Sequence, residues 1–415
     1  MNDSEAPPPV RIEPVRVELV PRLDDQGYRA DQVAERRRWV EEKTGATLPL
    51  VGSFTMSSEA MRGNVENPIG AVQVPLGVAG PLAMRGDHAQ GTFYVPLATT
   101  EGAVVRTYER GMAALTRAGG VRAWVERDEN RVTPVFEVAD LDRAIDLSRW
   151  ITERTDEIRS IAESTTAHGK LLRLNARPSG RTVLVDFDYS TGDASGMNLA
   201  VRATDRACRF IAEQSGSTFL IFSGAESEKH ASGRLFDGGK GKRVHAQAVI
   251  PARTLRAVLR VQARDLEHLW RRTVVGHLEA GALGYNGQLA NGLAALFIAC
   301  GQDVANLANS AVGITQLEEV EDGGLSASLT LPSLTVGTVG GGTQLGTANE
   351  CLAMLGCSGS GHAKRFAEIV AATLLAGELS MAAAVASGEL SAAHETLGRN
   401  PPPPAGAAEP PASSD

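Results

Sequence analysis

Cysteine is scarce in this 415-residue chain: four are present, Cys208, Cys300, Cys351 and Cys357. None has CxxC spacing, which removes support for a structural zinc site or a redox dithiol, and no metal is called for. Cys300 and Cys351 lie in apolar runs and read as buried thiols. The start of the chain is Pro-rich and polar, without the apolar segment of a secretory signal. The longest apolar runs, such as Ala371 to Ala386, are interrupted by Gly and Glu, so no membrane span is expected. There is no GxGxxG fingerprint, so a Rossmann domain is not supported. There is no internal repeat. Positive charge is also in deficit: the net charge is −8 and the pI about 5.6. An acidic surface argues against nucleic acid and anionic membranes as main partners, although a local basic pocket can still hold an anionic ligand. A reduced, cytoplasmic protein is expected.

The chain is 43% hydrophobic and 22% charged, an ordinary globular balance. Its length suggests two or three domains. Residues 1–30 read as loosely ordered. A first helix is expected over Asp31 to Glu42, with Asp31 as N-cap and a break at Gly45. Residues 46–111 are rich in Gly and Pro. Val121 to Glu126 alternates like a strand, Asp128-Glu129-Asn130 reads as a turn, and Val132 to Val138 as the returning strand. An apolar stripe predicts a helix over Asp140 to Ser164. Leu171 to Asn175 and Thr182 to Phe187 read as a second hairpin, followed by a helix from near Asp193 to about Gln214. That order, ββαββα, is close to a small split α/β sandwich. Further on, Pro251 to Ala280, Gln288 to Ala299, Glu350 to Met354 and Ala363 to Ala386 read as helices, and Ser326 to Leu334 as a strand. From Asn400 the Pro/Ala-rich tail lacks the apolar surface to fold and reads as disordered.

Two glycine-rich stretches bear on chemistry. Gly337-Thr338-Val339-Gly340-Gly341-Gly342-Thr343 follows a strand-like run, and Gly192-Asp193-Ala194-Ser195-Gly196-Met197-Asn198 is read as opening a helix. Glycine permits close approach of the backbone to a ligand or to another segment. A helix N-terminus offers free N–H groups to a phosphate. Tight packing and turns would explain both stretches equally well. Four ionisable residues stand out: Glu101 among small and apolar neighbours, Asp303 just beyond the apolar run Leu293 to Gly301, Lys229 and His394. Each has an ordinary alternative, as a cap, a structural acceptor or a solvated surface group. Spacing says nothing about whether they meet.

The order of motifs resembles hydroxymethylglutaryl-CoA reductase, in its catalytic portion and soluble bacterial-type form. The resemblance runs from about Glu66 to Asn400. Glu66-Asn67-Pro68-Ile69-Gly70 and Pro75 to Leu82 resemble the family's substrate loop, and Leu97 to Gly102 its block with the catalytic glutamate. Gly192 to Asn198 resembles the cofactor motif, with Ser195 where the family carries methionine. Ile298 to Asp303 and Gly337 to Thr343 resemble its aspartate block and late glycine motif. The resemblance implies an α+β fold: a large mixed domain with a long central helix, and an inserted small ferredoxin-like split α/β cofactor domain. The implied divisions are an N-terminal extension and helix at 1–48 and a large CoA-thioester domain at 49–118 and 221–399. A nicotinamide-binding domain occupies 119–220, and the tail 400–415.

It also implies roles. Glu101, Lys229, Asp303 and His394 fall on the catalytic acids, lysine and histidine. Asp193, Ala194, Ser195, Gly196, Met197 and Asn198 fall on the cofactor motif. The aligned 2′-phosphate stretch, Ser164 to His168, lacks the arginine of NADP-preferring relatives. Thr166 and His168 are the implied contacts there, with Lys170 or Arg173 as substitutes, so NADPH is expected and NADH remains open. Arg110, Arg131, Glu228, Arg271 and Asn291 fall on substrate contacts. Thr107, Glu109, His230 and Gln288 depart from the usual residues. The implied activity is a four-electron NAD(P)H-dependent reduction of 3-hydroxy-3-methylglutaryl-CoA to mevalonate and CoA, or the reverse. A reductase of another acyl-CoA thioester and a non-catalytic oligomeric homologue are the alternatives. A homodimer or dimer-based oligomer with shared active sites is implied, the lysine crossing between subunits.

Overall fold

The computed structural model describes residues 18–166 and 168–388. Residues 389–415, which include His394 and the Pro/Ala-rich tail, lie outside them. The chain divides into two compact units, Met1–Gln73 and Val74–Asp415.

The first unit is organised by a buried cation. Helix α1 (Ala30–Thr44) carries Arg36, which is fully buried. Its guanidinium donates to the carbonyls of Pro21 (2.8 Å), Arg22 (3.2 Å), Gly27 (3.2 Å) and Pro68 (2.7 Å). Five N–H donors on one planar group suit a loop-rich segment whose carbonyls have no sheet partner. The N-cap is Arg29 rather than Asp31, because the Gln32 side chain reaches back to the Arg29 N–H at 3.2 Å.

The second unit begins with a hairpin, β1 (Leu76–Arg85) and β2 (Gln90–Ala98), followed by helix α2 (Val104–Arg117). Then come β3 (Arg122–Val132), β4 (Val135–Glu137), α3 (Leu141–Glu153), α4 (Thr155–Glu163), β5 (Lys170–Ser179), β6 (Thr182–Ser190), α5 (Met197–Ser215) and β7 (Thr218–Leu220). The rest comprises β8 (Lys240–Ile250), α6 (Ala263–Glu279), α7 (Leu289–Ala299), β9 (Ile314–Val320), β10 (Gly324–Leu334), α8 (Gly346–Met354) and α9 (Ala363–Ala386), with short helical turns between. Eight strands form one sheet in the order β7-β4-β6-β3-β8-β10-β9, with β5 on the other edge of β6. The pairings are antiparallel. Two hydrophobic clusters pack against it, one built around α9 and the other drawn only from residues between Val132 and Phe219.

Four expectations are corrected. Asp128-Glu129-Asn130 is not a turn: β3 runs through it, and the chain bends only at Thr133-Pro134. These polar residues lie within a strand because each finds a partner there, Asp128 in Lys242 (3.1 Å), Glu129 in Arg173 (2.6 Å) and Asn130 in Thr191 (2.9 Å). The helix expected over 140–164 is two, divided at Arg154, where the Thr155 hydroxyl turns back to the Thr152 carbonyl at 2.9 Å. The helix expected over 251–280 is interrupted by Arg260 in the left-handed region, and α6 restarts beyond Gln262, whose N–H is capped by Asp265 at 3.1 Å. Finally, α9 is long and apolar enough by composition to cross a membrane, with mean hydropathy 1.9. Its apolar window is 78% buried within the protein, so it is the central core helix here.

Close packing around α9 needs glycine. A Cβ on Gly111 of α2 would lie 1.9 Å from the Ala376 carbonyl oxygen of α9. Gly111→Ala is therefore expected to destabilise by about 1–3 kcal/mol through overpacking, outweighing the gain of about 1 kcal/mol in helix propensity. Denaturant unfolding at fixed protein concentration measures this, and an unchanged or raised midpoint contradicts the packing argument.

Candidate active site

The two glycine motifs meet backbone to backbone. The Asp193 carbonyl accepts the Thr338 N–H at 2.8 Å, and a Cβ on Gly337 would fall 2.8 Å from the Ser195 nitrogen. A Cβ on Gly301 would fall 2.3 Å from the Gly342 oxygen. Glycine is thus required first for segment-to-segment contact. The same contacts leave a cleft of about 390 Å³ walled by residues 194–199 and 337–343, with Glu228, Lys229 and Asp303 at its edge. Helix α5 begins at Met197, not near Asp193, with Gly196 as its left-handed N-cap. Its first turn faces the cleft, so its N–H groups and positive end are available to an anion. Asp193 serves α9 instead, accepting the N–H groups of Gly361 (2.7 Å) and Ala363 (3.1 Å).

Lys229 Nζ reaches Asp303 Oδ2 at 3.0 Å. The Asp303 hydrogen bond holds the ammonium above the ordinary lysine range, against a smaller opposing effect of burial. Asp303 Oδ1 also accepts the Ala305 N–H at 3.0 Å, which orients the carboxylate. Ser227 and Lys229 both have positive φ, 59° and 56°. Such backbone is unfavourable for residues with a Cβ and persists where surroundings enforce it. Here Asn309 does so: its Oδ1 accepts the Lys229 N–H at 3.3 Å, while its Nδ2 is anchored on Ser333 O (3.1 Å) and Thr335 Oγ1 (2.9 Å). The pair is about half exposed on both sides, so its contribution to stability is small.

A second pair lies elsewhere. Asn291 Nδ2 donates to Glu101 at 3.3 and 3.1 Å. Asn291 is in the first turn of α7, whereas Asp303 follows its last turn. At 1.5 Å per residue, the helix separates the two pairs by about 10 Å or more along its axis. Neither Glu101 nor Asn291 lines the cleft that holds Lys229 and Asp303. One chain therefore presents two half-constellations.

The other expected residues fall as follows. Arg110 on α2 donates to Ser380 of α9 through Nε (2.9 Å) and Nη2 (2.7 Å). Arg131 is buried and bidentate to Asp188 (2.6 and 3.0 Å). It borders a separate charged cleft of about 570 Å³ that also includes Arg173, Arg177 and Arg234. Arg271 pairs with Glu267 along α6 at 2.5 Å. Thr166 Oγ1 accepts the N–H groups of His168 (3.1 Å) and Gly169 (3.0 Å), closing a local turn. Lys170 pairs with Glu163 (2.9 Å), and Arg173 with Glu129 (2.6 Å) and Asp188 (3.2 Å). Arg202, not singled out from the sequence, reaches the Thr165 carbonyl.

Sequence reading also missed the supports. Asn130 Nδ2 donates to the Ser195 carbonyl at 2.9 Å, and Gln302 Oε1 accepts the Gly337 N–H at 2.9 Å. Lys240 is buried beneath the start of α5, donating to the Arg131 carbonyl at 2.6 Å and lying 3.7 Å from Met197 Sδ. Desolvation lowers its pKa to about 8, partly opposed by Glu228 and Glu226. The only sequence signal for such residues was polarity within otherwise apolar or glycine-rich stretches.

Comparison with known proteins gives one family. The family model described as hydroxymethylglutaryl-coenzyme A reductase matches residues 32–399. The chain is 41% identical to 3-hydroxy-3-methylglutaryl-coenzyme A reductase of Methanothermobacter thermautotrophicus over 89% of this chain and 94% of that protein. It is 41% identical to the protein of the same name from Aeropyrum pernix over 91% and 92%. The fold matches a class II 3-hydroxy-3-methylglutaryl-CoA reductase from Streptococcus pneumoniae, described as bound to NADPH in open conformations. That match has a TM-score of 0.67 at 19% identity, covering 85% of this chain and 96% of the other.

The burial of Lys240 has a pH signature. In the unfolded chain a lysine keeps its ordinary value of 10.5, against about 8 in the fold. Between those values the unfolded state binds more protons, so this group's contribution to stability rises with pH. The unfolding free energy of wild type minus that of Lys240→Met is expected to grow across that window. A flat difference contradicts the burial of a charged lysine at neutral pH.

Proposed function

Since this chain belongs to the hydroxymethylglutaryl-coenzyme A reductase family, we propose that it reduces 3-hydroxy-3-methylglutaryl-CoA to mevalonate and CoA, with NADPH as reductant and Lys229, Asp303, Glu101 and His394 as its working groups. The observation that carries the assignment of residues is the 3.0 Å contact of Lys229 Nζ with Asp303 at the edge of the glycine-walled cleft.

The cleft suits a dinucleotide. Bare backbone at Gly337 and Gly340 to Gly342 admits close approach, and the first turn of α5 offers N–H groups to phosphate. Bound in turn, two NADPH molecules would each supply one hydride to the same carbonyl carbon, in two steps. In the first, the thioester oxygen becomes a hemithioacetal oxyanion, and the Lys229 ammonium offsets the developing charge. Asp303 keeps that ammonium protonated and aimed. As the carbon–sulfur bond breaks, His394 gives a proton to the CoA thiolate. In the second step Glu101 gives a proton to the aldehyde oxygen while Asn291 orients its carboxyl. Both steps act on one carbonyl carbon, so the two half-constellations must meet around it.

That meeting takes place between two copies. The length of α7 holds Glu101 with Asn291 away from Lys229 with Asp303 in one chain. A two-fold arrangement brings the first pair of one copy to the second pair of its partner, making two equivalent sites. Lys229 already contacts Asp303 of its own chain. What crosses the interface, in this reading, is the pair rather than the lysine alone.

Two measurements test this. Lys229→Ala should lower substrate-dependent NADPH oxidation by about 10²-fold or more. Lys229→Ala co-refolded with equal Glu101→Ala should regain about a quarter of wild-type activity, since half the dimers then hold one intact site of two. No regain places all four groups within one chain. For the cofactor, kcat/KM is expected to favour NADPH over NADH, with Arg202, which reaches the Thr165 carbonyl, and the neighbouring His168 as the side chains offered to the 2′-phosphate. A strong preference for NADH reverses that assignment.

A further inference from the structure

Helix α9 is apolar for most of its length, yet carries a carboxylate, Glu378, that is 5% exposed. Its oxygens accept the N–H of Gly287 (2.9 and 3.1 Å), the N–H of Gln288 (2.5 Å) and the Thr315 hydroxyl (3.1 Å). Burial pushes its carboxyl above the ordinary glutamate range, and those donors pull it back; no cation among the described residues contributes. A buried carboxylate without a counter-ion is unfavourable unless its hydrogen bonds are complete. Here they are concentrated on one short turn.

That turn is the entry to α7. Gln288 is its N-cap, without a side-chain cap of its own, and Glu378 holds the backbone just ahead of the helix by taking the N–H groups of Gly287 and Gln288. From the opposite side, the fully buried Tyr108 of α2 donates its hydroxyl to the Gln288 carbonyl at 3.1 Å. The tyrosine fits because two helices leave a hole for it: a Cβ on Gly292 would fall 2.2 Å from its hydroxyl and one on Gly377 2.4 Å from its ring. Gln288 is thus held at both its N–H and its carbonyl. Three residues later comes Asn291, whose amide holds Glu101.

We infer that Glu378, with Tyr108, is a positioning residue for the reaction: it fixes the first turn of α7 so that Asn291 presents the Glu101 carboxyl in its working orientation. This rests on the reading of Glu101 as proton donor. The physical reason is reach. Glu101 is exposed and Asn291 half-buried, and their relative position is set by the backbone beneath Asn291. A group displaced by an ångström from the reacting atoms loses much of its rate advantage.

The test is a double-mutant cycle on the purified full-length chain with NADPH and 3-hydroxy-3-methylglutaryl-CoA. Glu378→Gln keeps the side-chain volume but turns an NH₂ toward backbone donors. It is expected to lower kcat about 10- to 100-fold through misplacement, with KM for NADPH within about twofold of wild type. Glu378→Gln combined with Asn291→Ala should be no slower than Asn291→Ala alone, since both act through one group. Losses that multiply, or a kcat within about twofold of wild type, overturn the inference. If Glu378→Gln does not fold, Tyr108→Phe, which deletes one hydroxyl, goes through the same cycle with the same two outcomes deciding. Wild-type protein that oxidises no NADPH with this substrate overturns the underlying reading as well. An active wild type with uncoupled variants overturns the positioning role alone.

Discussion

Asp193 joins three segments that are far apart in the chain. Its carbonyl holds the loop at Thr338, its carboxylate caps the start of α9, and its own position sets the approach to α5. The cleft exists because these contacts are made without intervening side chains. Gly337 against Ser195 and Gly301 against Gly342 leave no room for a Cβ. The aspartate block is drawn to the same place, because Gln302 bonds to Gly337 immediately before Asp303. Removal of this seam would separate Lys229 and Asp303 from residues 194–199 across the cleft.

Around that seam the protein places charge where water is scarce, and does so in pairs. Arg131 with Asp188, Lys242 with Asp128, and Arg234 with Asp186 all involve buried or nearly buried groups of β3, β6 and β8. Truncation of one member of such a pair strands the other in low dielectric, so they hold the sheet in a single arrangement more than they add net stability. Lys229 with Asp303 is different in kind. It is exposed on both sides, worth little to folding, and held by a loop with two residues of positive φ. The buried pairs thus fix the sheet, whereas Lys229 with Asp303 stays open to the cleft.

Much of the architecture was legible in the sequence. The periodic elements Gln288 to Ala299 and Ala363 to Ala386 fold where apolar patterning put them, as α7 and α9. Local rules failed where a distant partner reversed them. Asp128-Glu129-Asn130 has turn composition, yet Lys242, Arg173 and Thr191 pair with it, and β3 continues. The Gly192 to Asn198 motif was recognised, but its helix starts four residues later because Asp193 is recruited by α9. Glu378 was visible only as an interruption in an apolar run. Nothing local indicated that its partners lie at Gly287, Gln288 and Thr315.

The sequence by itself determined the family and named the candidate side chains, because long ordered motifs preserve residue type whatever the fold does with them. Only the tertiary structure decided which of those side chains meet. It joined Lys229 to Asp303 and Glu101 to Asn291, and it set the two pairs at opposite ends of one helix. The reason is geometric: distance along a chain carries no information about distance in space until a rigid element of known rise, here α7, fixes it.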